Sequence, residues 1–175
     1  MTTWIALLRG VNVGGKTLRM ETLRETLAAL GMEAVKTYIQ SGNAVFRCSE
    51  SDGNALRKHL EQGITENLEV VVSLLLRSPA ELEALLSASS FELADVSSLY
   101  YTFLEKSPET GLTETLPSPQ AGFDEFRIIG REIHLHCPGG YGRTVYSNQY
   151  FERKLKQIAT TRNRNTVLKL LEMCR

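Results

Sequence analysis

Apolar residues change their spacing several times along the chain, and each change marks an element. Residues 4–8 form a short continuous apolar run, the pattern of a strand buried on both faces. Met20, Leu23, Leu27 and Leu30 then recur at helical spacing and predict a helix over residues 18–30, with Gly31 placed to end it in a left-handed C′ conformation. Residues 34–39 and 44–48 read as two strands joined by the tight turn Ser41-Gly42-Asn43. After an Asp52-Gly53 break, Leu56, Leu60 and Ile64 mark a second helix, and residues 70–76 read as a strand that is apolar apart from Ser73. The order β-α-β-β-α-β is that of the ferredoxin-like plait.

In such a plait the fourth strand lies at a sheet edge, where a run as apolar as 70–76 promotes aggregation unless it is covered. The second half of the chain is the expected cover. It opens with Ser78 as N-cap, Pro79 in the first helical turn and Glu81 as the partner of a capping box. A strand at 99–105 follows, then a segment rich in Pro, Gly and Thr at 107–119. A hairpin pairs 123–129 with 132–137 about Gly130-Arg131, and Ser147 caps a helix whose apolar face is Phe151, Leu155 and Ile158. A final helix, opened by Thr160 or Thr161 with Arg162 in its first turn, is expected to bury Val167, Leu170 and Leu171. This half shows no closing strand and no sequence repeat of the first. The expectation is therefore an α+β chain with mainly antiparallel sheets. Residues 1–77 form a ferredoxin-like (α/β-plait) domain and residues 78–175 an elaborated α/β variant with extra terminal helices.

The chemistry concentrates directly after the first strand. Gly10-Val11-Asn12-Val13-Gly14-Gly15-Lys16-Thr17 satisfies the phosphate-binding pattern G-x-x-x-x-G-K-S/T, in the required strand, loop and helix context. In an NTPase such glycines let backbone N–H groups surround a polyphosphate, while Lys meets the outer phosphates and Thr holds Mg²⁺. Hydrolysis also needs a strand ending in Asp on a mainly parallel sheet. Here the two apolar strands run into Arg9 and into Arg77-Ser78. The pattern therefore has three readings: a close-packing glycine turn, an anion-binding loop, and a nucleotide-dependent enzyme using Lys16 and Thr17.

Gln40, Ser41 and Asn43 flank the hairpin turn, where polar residues serve the backbone and could also orient a polar ligand. Arg162, placed against a helix macrodipole, calls for another reason: an anion shared with helix N–H groups, exposure to water, or pairing with an acid elsewhere. Residues 138–143 form a second glycine-rich loop, ending in Arg143, and read best as a plain connection. His134 and His136 share one strand face while Cys137 points to the other, so no metal set is expected. Cys48, Cys137 and Cys174 stand at wide, unpatterned spacings that suggest reduced thiols in a cytosol.

Lys and Arg number 20, as do Asp and Glu, so the net charge is zero, which argues against a protein that coats nucleic acid or binds a membrane surface. The balance is uneven: residues 78–125 carry nine acids against Lys106 alone, and from Arg143 onward eight bases face Glu152 and Glu172. The chain start lacks a basic signal region, and Arg9 interrupts its apolar run, so a cytoplasmic protein is expected.

Three stretches, residues 6–16 (ALLRGVNVGGK), 37–46 (TYIQSGNAVF) and 160–169 (TTRNRNTVLK), together resemble the domain of unknown function 1697 family, a group of small bacterial proteins. The resemblance covers nearly the whole chain and implies two α/β-plait domains; the family has no assigned biochemistry to carry over. Arg164 stands where the family often has Trp, and Thr17 where its pattern is loose.

The functional expectation is a small anionic ligand, a nucleotide or phosphate ester, bound between the two halves with no cofactor or metal. Arg9, Lys16 and Arg162 would neutralise its charge, Gly14 and Gly15 would donate backbone N–H groups, and Asn12, Gln40, Ser41, Asn43 and Asn163 would complete the site. The alternatives are the P-loop-like enzyme and an RNA-binding or protein-interaction module. Against RNA, strand 44–48 carries only Phe46 as an aromatic.

Overall fold

The computed structural model describes residues 1–11, 18–39, 42–88, 91, 94–118 and 123–175. The chain is α+β with two four-stranded antiparallel sheets. It divides into two compact units: Met1–Ala84 with Lys169–Arg175, and Leu85–Leu168.

The first unit runs β1 (Thr2–Arg9), α1 (Met20–Ala29), β2 (Glu33–Tyr38), β3 (Asn43–Cys48), α2 (Gly53–Leu68) and β4 (Ser73–Arg77), with strand order β2-β3-β1-β4. Alternate residues of the central strands, Trp4, Ala6, Leu8, Ala44 and Phe46, pack with Leu23 and Leu27 of α1 and Leu56, Leu60 and Ile64 of α2. At about 25 cal/mol per Å² of apolar surface, this layer is the principal stabilising term of the unit. Ile5, Leu7 and Val45 on the other face are buried as well, as the unbroken apolar run of β1 predicts. The two helices meet at Gly63, where an added Cβ would overlap Leu30.

The helix ends follow from their residues. Gly31 has φ +88°, and the Gly31 N–H donates to Ala28 O while the Met32 N–H donates to Leu27 O, both at 3.0 Å. That is a Schellman motif, completed by the burial of Leu27 and Met32 in one cluster. Asp52, expected as part of a break, is instead the N-cap of α2, its carboxylate accepting from the Asn54 and Ala55 N–H groups. The Ser78 capping box of α3 (Pro79–Ser87) closes in both directions: the Ser78 N–H donates to Glu81 Oε2 (2.8 Å) and the Glu81 N–H to Ser78 Oγ (3.2 Å).

The expected strand 70–76 begins only at Ser73. β1 ends at Arg9, the partner of Ser73, so residues 70–72 have no strand to pair with among the described residues, and Val71 is exposed. Asn43 belongs to β3 rather than to the turn, and Ile39 leaves β2 with φ +48°.

The second unit contains β5 (Leu99–Leu104), a one-turn α4 (Thr110–Thr113) within the segment expected to be irregular, β6 (Glu125–Ile129), β7 (Glu132–His136), α5 (Asn148–Leu155) and β8 (Ala159–Asn163). Its strand order is β6-β7-β5-β8. Its core joins Leu104, Phe126, Ile133, Leu135, Phe151 and Leu155. Phe126, Tyr146, Tyr150 and Phe151 are mutually edge-on at centroid distances of 4.9–5.7 Å in the pairs 126–146, 126–151, 146–150 and 150–151. Ser147 caps α5 as expected, but Lys156 at φ +53° ends the helix before Ile158.

The largest departure from the sequence reading is β8. Residues 159–163 do not open a helix; they pair antiparallel with β5, Arg162 opposite Tyr101. A closing strand therefore exists, favoured by the β-branched Thr160 and Thr161, with Thr161 Oγ1 2.7 Å from Thr102 Oγ1. The last helix, α6 (Arg164–Met173), starts one step later, and Asn163 Oδ1 accepts the Thr166 N–H at 2.7 Å as its cap. Val167 and Leu170 are fully buried, whereas Leu171 is only half-buried.

Candidate functional site

The expected site begins where β1 ends. Gly10 has φ +77°, a conformation that Gly adopts at no steric penalty, and it turns the chain out of the sheet immediately after Arg9. At that end β1 lies beside the start of β3: Leu7 pairs with Asn43, and the Leu8 N–H donates to Gly42 O at 2.8 Å. Gly42, at φ +75°, sits beneath the first residue of the loop. A Cβ placed there would overlap Val11 Cγ2 and come within 2.9 Å of Leu8 Cβ. Two of the three motif segments thus meet inside the first unit, the entry to the loop seated on the glycine of the hairpin turn.

Asn43 is wholly buried, and its Nδ2 donates to Tyr38 O at 3.0 Å, tying the two ends of the hairpin together. Its amide holds the turn that supports Val11. Arg9 is half-buried at the end of β1, opposite Ser73. Asn12, Gly14, Gly15 and Lys16, with Thr17, lie outside the described residues, as do Gln40 and Ser41.

Arg162 lies in the second unit, on a strand and not in a helical first turn, so the macrodipole argument does not apply to it. Its side chain is buried, with Nη1 donating to Thr160 Oγ1 (2.8 Å) and Thr161 O (2.9 Å). The cation in the first turn is Arg164, and Tyr101 accepts its Nη1 at 2.8 Å. Asn163 uses its side-chain oxygen as the cap of α6.

Strand pairing exposes a relation that the sequence conceals. Residues paired directly across strands share a face. In the first unit one such row reads Lys36, Val45, Ile5, Arg77; in the second it reads Arg127, His134, Tyr101, Arg162. Both rows lie on the sheet face away from the core clusters, and both carry a cation at each edge. In the second row Tyr101 meets His134 edge-on at 5.1 Å. Burial, reinforced by the Arg127 charge, lowers the His134 pKa to about 4 and keeps the ring neutral.

The remaining chemistry is sparse. Among the described residues no group of three or more His, Cys, Asp or Glu side chains could hold a metal ion. Burial raises the Cys137 thiol to about 11, which makes it a poor nucleophile. Cys48 and Cys174 are raised by burial too. Also among the described residues, no helix is long and apolar enough to cross a membrane.

No match to the sequence is found among curated proteins. Among solved structures the fold is similar to that of the conserved bacterial protein SP0830 from Streptococcus pneumoniae, at a TM-score of 0.74 and 26% sequence identity, covering 99% of each chain. Residues 1–134 match the family model described as a protein of unknown function, DUF1697, and the chain belongs to that family.

Proposed function

We propose that the protein binds a small anionic ligand, a nucleotide or phosphate ester, at the loop that follows β1. The observation that carries this reading is the seating of Val11 on Gly42. A close approach that only glycine permits joins a cation-bearing, glycine-rich loop to an amide-rich turn. A loop rich in backbone N–H groups, with its entry seated on Gly42, suits an oxyanion. Arg9 and Lys16 would balance its charge, Gly14 and Gly15 would donate from the backbone, and Asn12, Gln40 and Ser41 would orient the ligand. Arg162 and Asn163 have commitments to β8 and α6, so they are secondary in this proposal.

Binding without turnover is favoured over the P-loop-like enzyme. β1 has antiparallel neighbours on both sides, and β4 ends in Arg77 where an NTPase needs an acid for Mg²⁺. The strand orders support assigning both units to the ferredoxin-like plait, with division near residue 77 and a cytoplasmic setting as parts of the same proposal. A thermal-shift series with inorganic phosphate, AMP, ATP and sugar phosphates tests the reading. Stabilisation by at least one ligand that falls about tenfold in affinity in Arg9→Gln is expected. Mg²⁺-dependent ATP turnover abolished by Thr17→Ala would favour the enzyme instead.

A further inference from the structure

We infer that the first unit carries a second anion site, a cleft for a small phosphate monoester, at the end of the sheet remote from the β1 loop. The cleft has a volume of about 270 Å³; Thr3, Lys36, Val45 and Arg47 line it from the sheet, and Met173 and Arg175 from the C-terminal segment. Thr3 and Arg9 lie six residues apart on β1, about 20 Å at strand rise, so this cleft is distinct from the loop and does not rest on the reading above.

Three observations converge on it. The first is charge: the side chains of Lys36, Arg47 and Arg175 line it, and among the described residues no Asp or Glu side chain does. Glu33, paired with Arg47 across the strands, makes no ion pair among the described residues, and Glu172 is bonded to Lys169 at 2.8 Å. The Arg47 guanidinium has no hydrogen-bond or ion-pair partner among the described residues. Lys36 uses one N–H, to Met173 O at 3.0 Å, which leaves two ammonium donors. Arg175 is offset by Glu172, whose carboxyl it helps Lys169 to hold low, which leaves Lys36 and Arg47 as like charges on one rim whose repulsion a bound anion relieves.

The second observation is backbone strain. Register slips between Glu33 and Lys36, and Ala34 within that bulge has φ +51°, a left-handed conformation unfavourable for an alanine. The bulge brings Lys36 opposite Val45; without it the Glu33–Arg47 register would put Lys36 opposite Ala44 and turn it to the helix face. Third, the floor is the buried Val45, with Met173 at the side, so the cleft offers an apolar surface below a cationic rim. A dianionic head with a compact apolar body matches this surface better than a monocarboxylate does.

Titrating ¹⁵N-labelled full-length protein with phenyl phosphate, with benzoate as a second arm, tests the assignment. The expected result is saturable shifts at Thr3, Lys36, Arg47 and Arg175, affinity about tenfold weaker in Arg47→Gln, unchanged affinity in Arg24→Gln on α1, and much weaker binding of benzoate. Arg47 makes no side-chain bond to the protein, so its substitution leaves the fold intact. Absence of saturable shifts there at millimolar phenyl phosphate, unchanged affinity in Arg47→Gln, or equal binding of benzoate would overturn the assignment.

Discussion

Arg77 and Arg162 hold the same place in two sheets that share no recognisable sequence repeat. Each stands on the edge strand next to the central strand, on the face away from the core cluster, and each donates from Nη1 to the carbonyl of the preceding residue at 2.9 Å. Both side chains are buried, at 1% and 6% exposure, so their charge is held by protein groups rather than water. Removing such a group leaves its partners unsatisfied. Arg162→Ala and Arg77→Ala are each expected to lose about 3 kcal/mol in urea unfolding, and lysine should recover only part, because it lacks the planar fork. A loss below about 0.5 kcal/mol in both would mean that these arginines are solvated.

His134 gives the structure a pH dependence of defined sign. Its folded pKa, about 4, lies below the ordinary 6.5, so the unfolded chain takes up the proton first as pH falls. Stability from this residue is complete above about pH 6.5 and is lost between there and pH 4, on the order of a few kcal/mol in total. His134→Phe should flatten that segment of the stability curve, measured by denaturant midpoints at successive pH values.

Glycine positions separate two effects. Gly31 and Gly42 both have positive φ, but an added Cβ meets nothing at Gly31 and overlaps Val11 at Gly42. Gly31→Ala should therefore lose about 1 kcal/mol, from backbone conformation alone. Gly42→Ala should lose about 2–4 kcal/mol and also weaken ligand binding, since the loop entry must move. Equal losses in the two variants would show that Val11 shifts freely.

Ala34 offers the converse change. Ala34→Gly removes a left-handed alanine, offset in part by added freedom of the unfolded chain, for a net gain of up to about 1 kcal/mol. Urea midpoints measure it; a decrease would show that the methyl group is packed in the bulge.

Much of the first unit was legible because its signals are local. The five-residue apolar run, the heptad-like leucines, Gly31 and the Ser78 box each act within a few residues of their own position. β8 was not legible, because Thr-Thr-Arg-Asn ahead of an apolar helix reads as a cap, and Asn163 does cap α6. Only the pairing with β5, some sixty residues away, makes Thr160 and Arg162 a strand. The same holds for the rows ending in Arg77 and Arg162, and for Lys36 and Arg47. Their significance lies in register, which the one-residue bulge at Ala34 alters without a glycine or proline to announce it. For the β1 loop, the sequence supplied the residues, and the structure supplied the contact between Val11 and Gly42.

Amide shifts of the full-length protein on titration with AMP and inorganic phosphate test phosphate binding at the β1 loop. Saturable shifts are expected at Gly10, Val11, Gly42 and Asn43, with affinity about tenfold weaker in Arg9→Gln. Saturable binding that leaves those four amides unmoved, or the absence of binding by any phosphate compound at millimolar concentration, would contradict binding there.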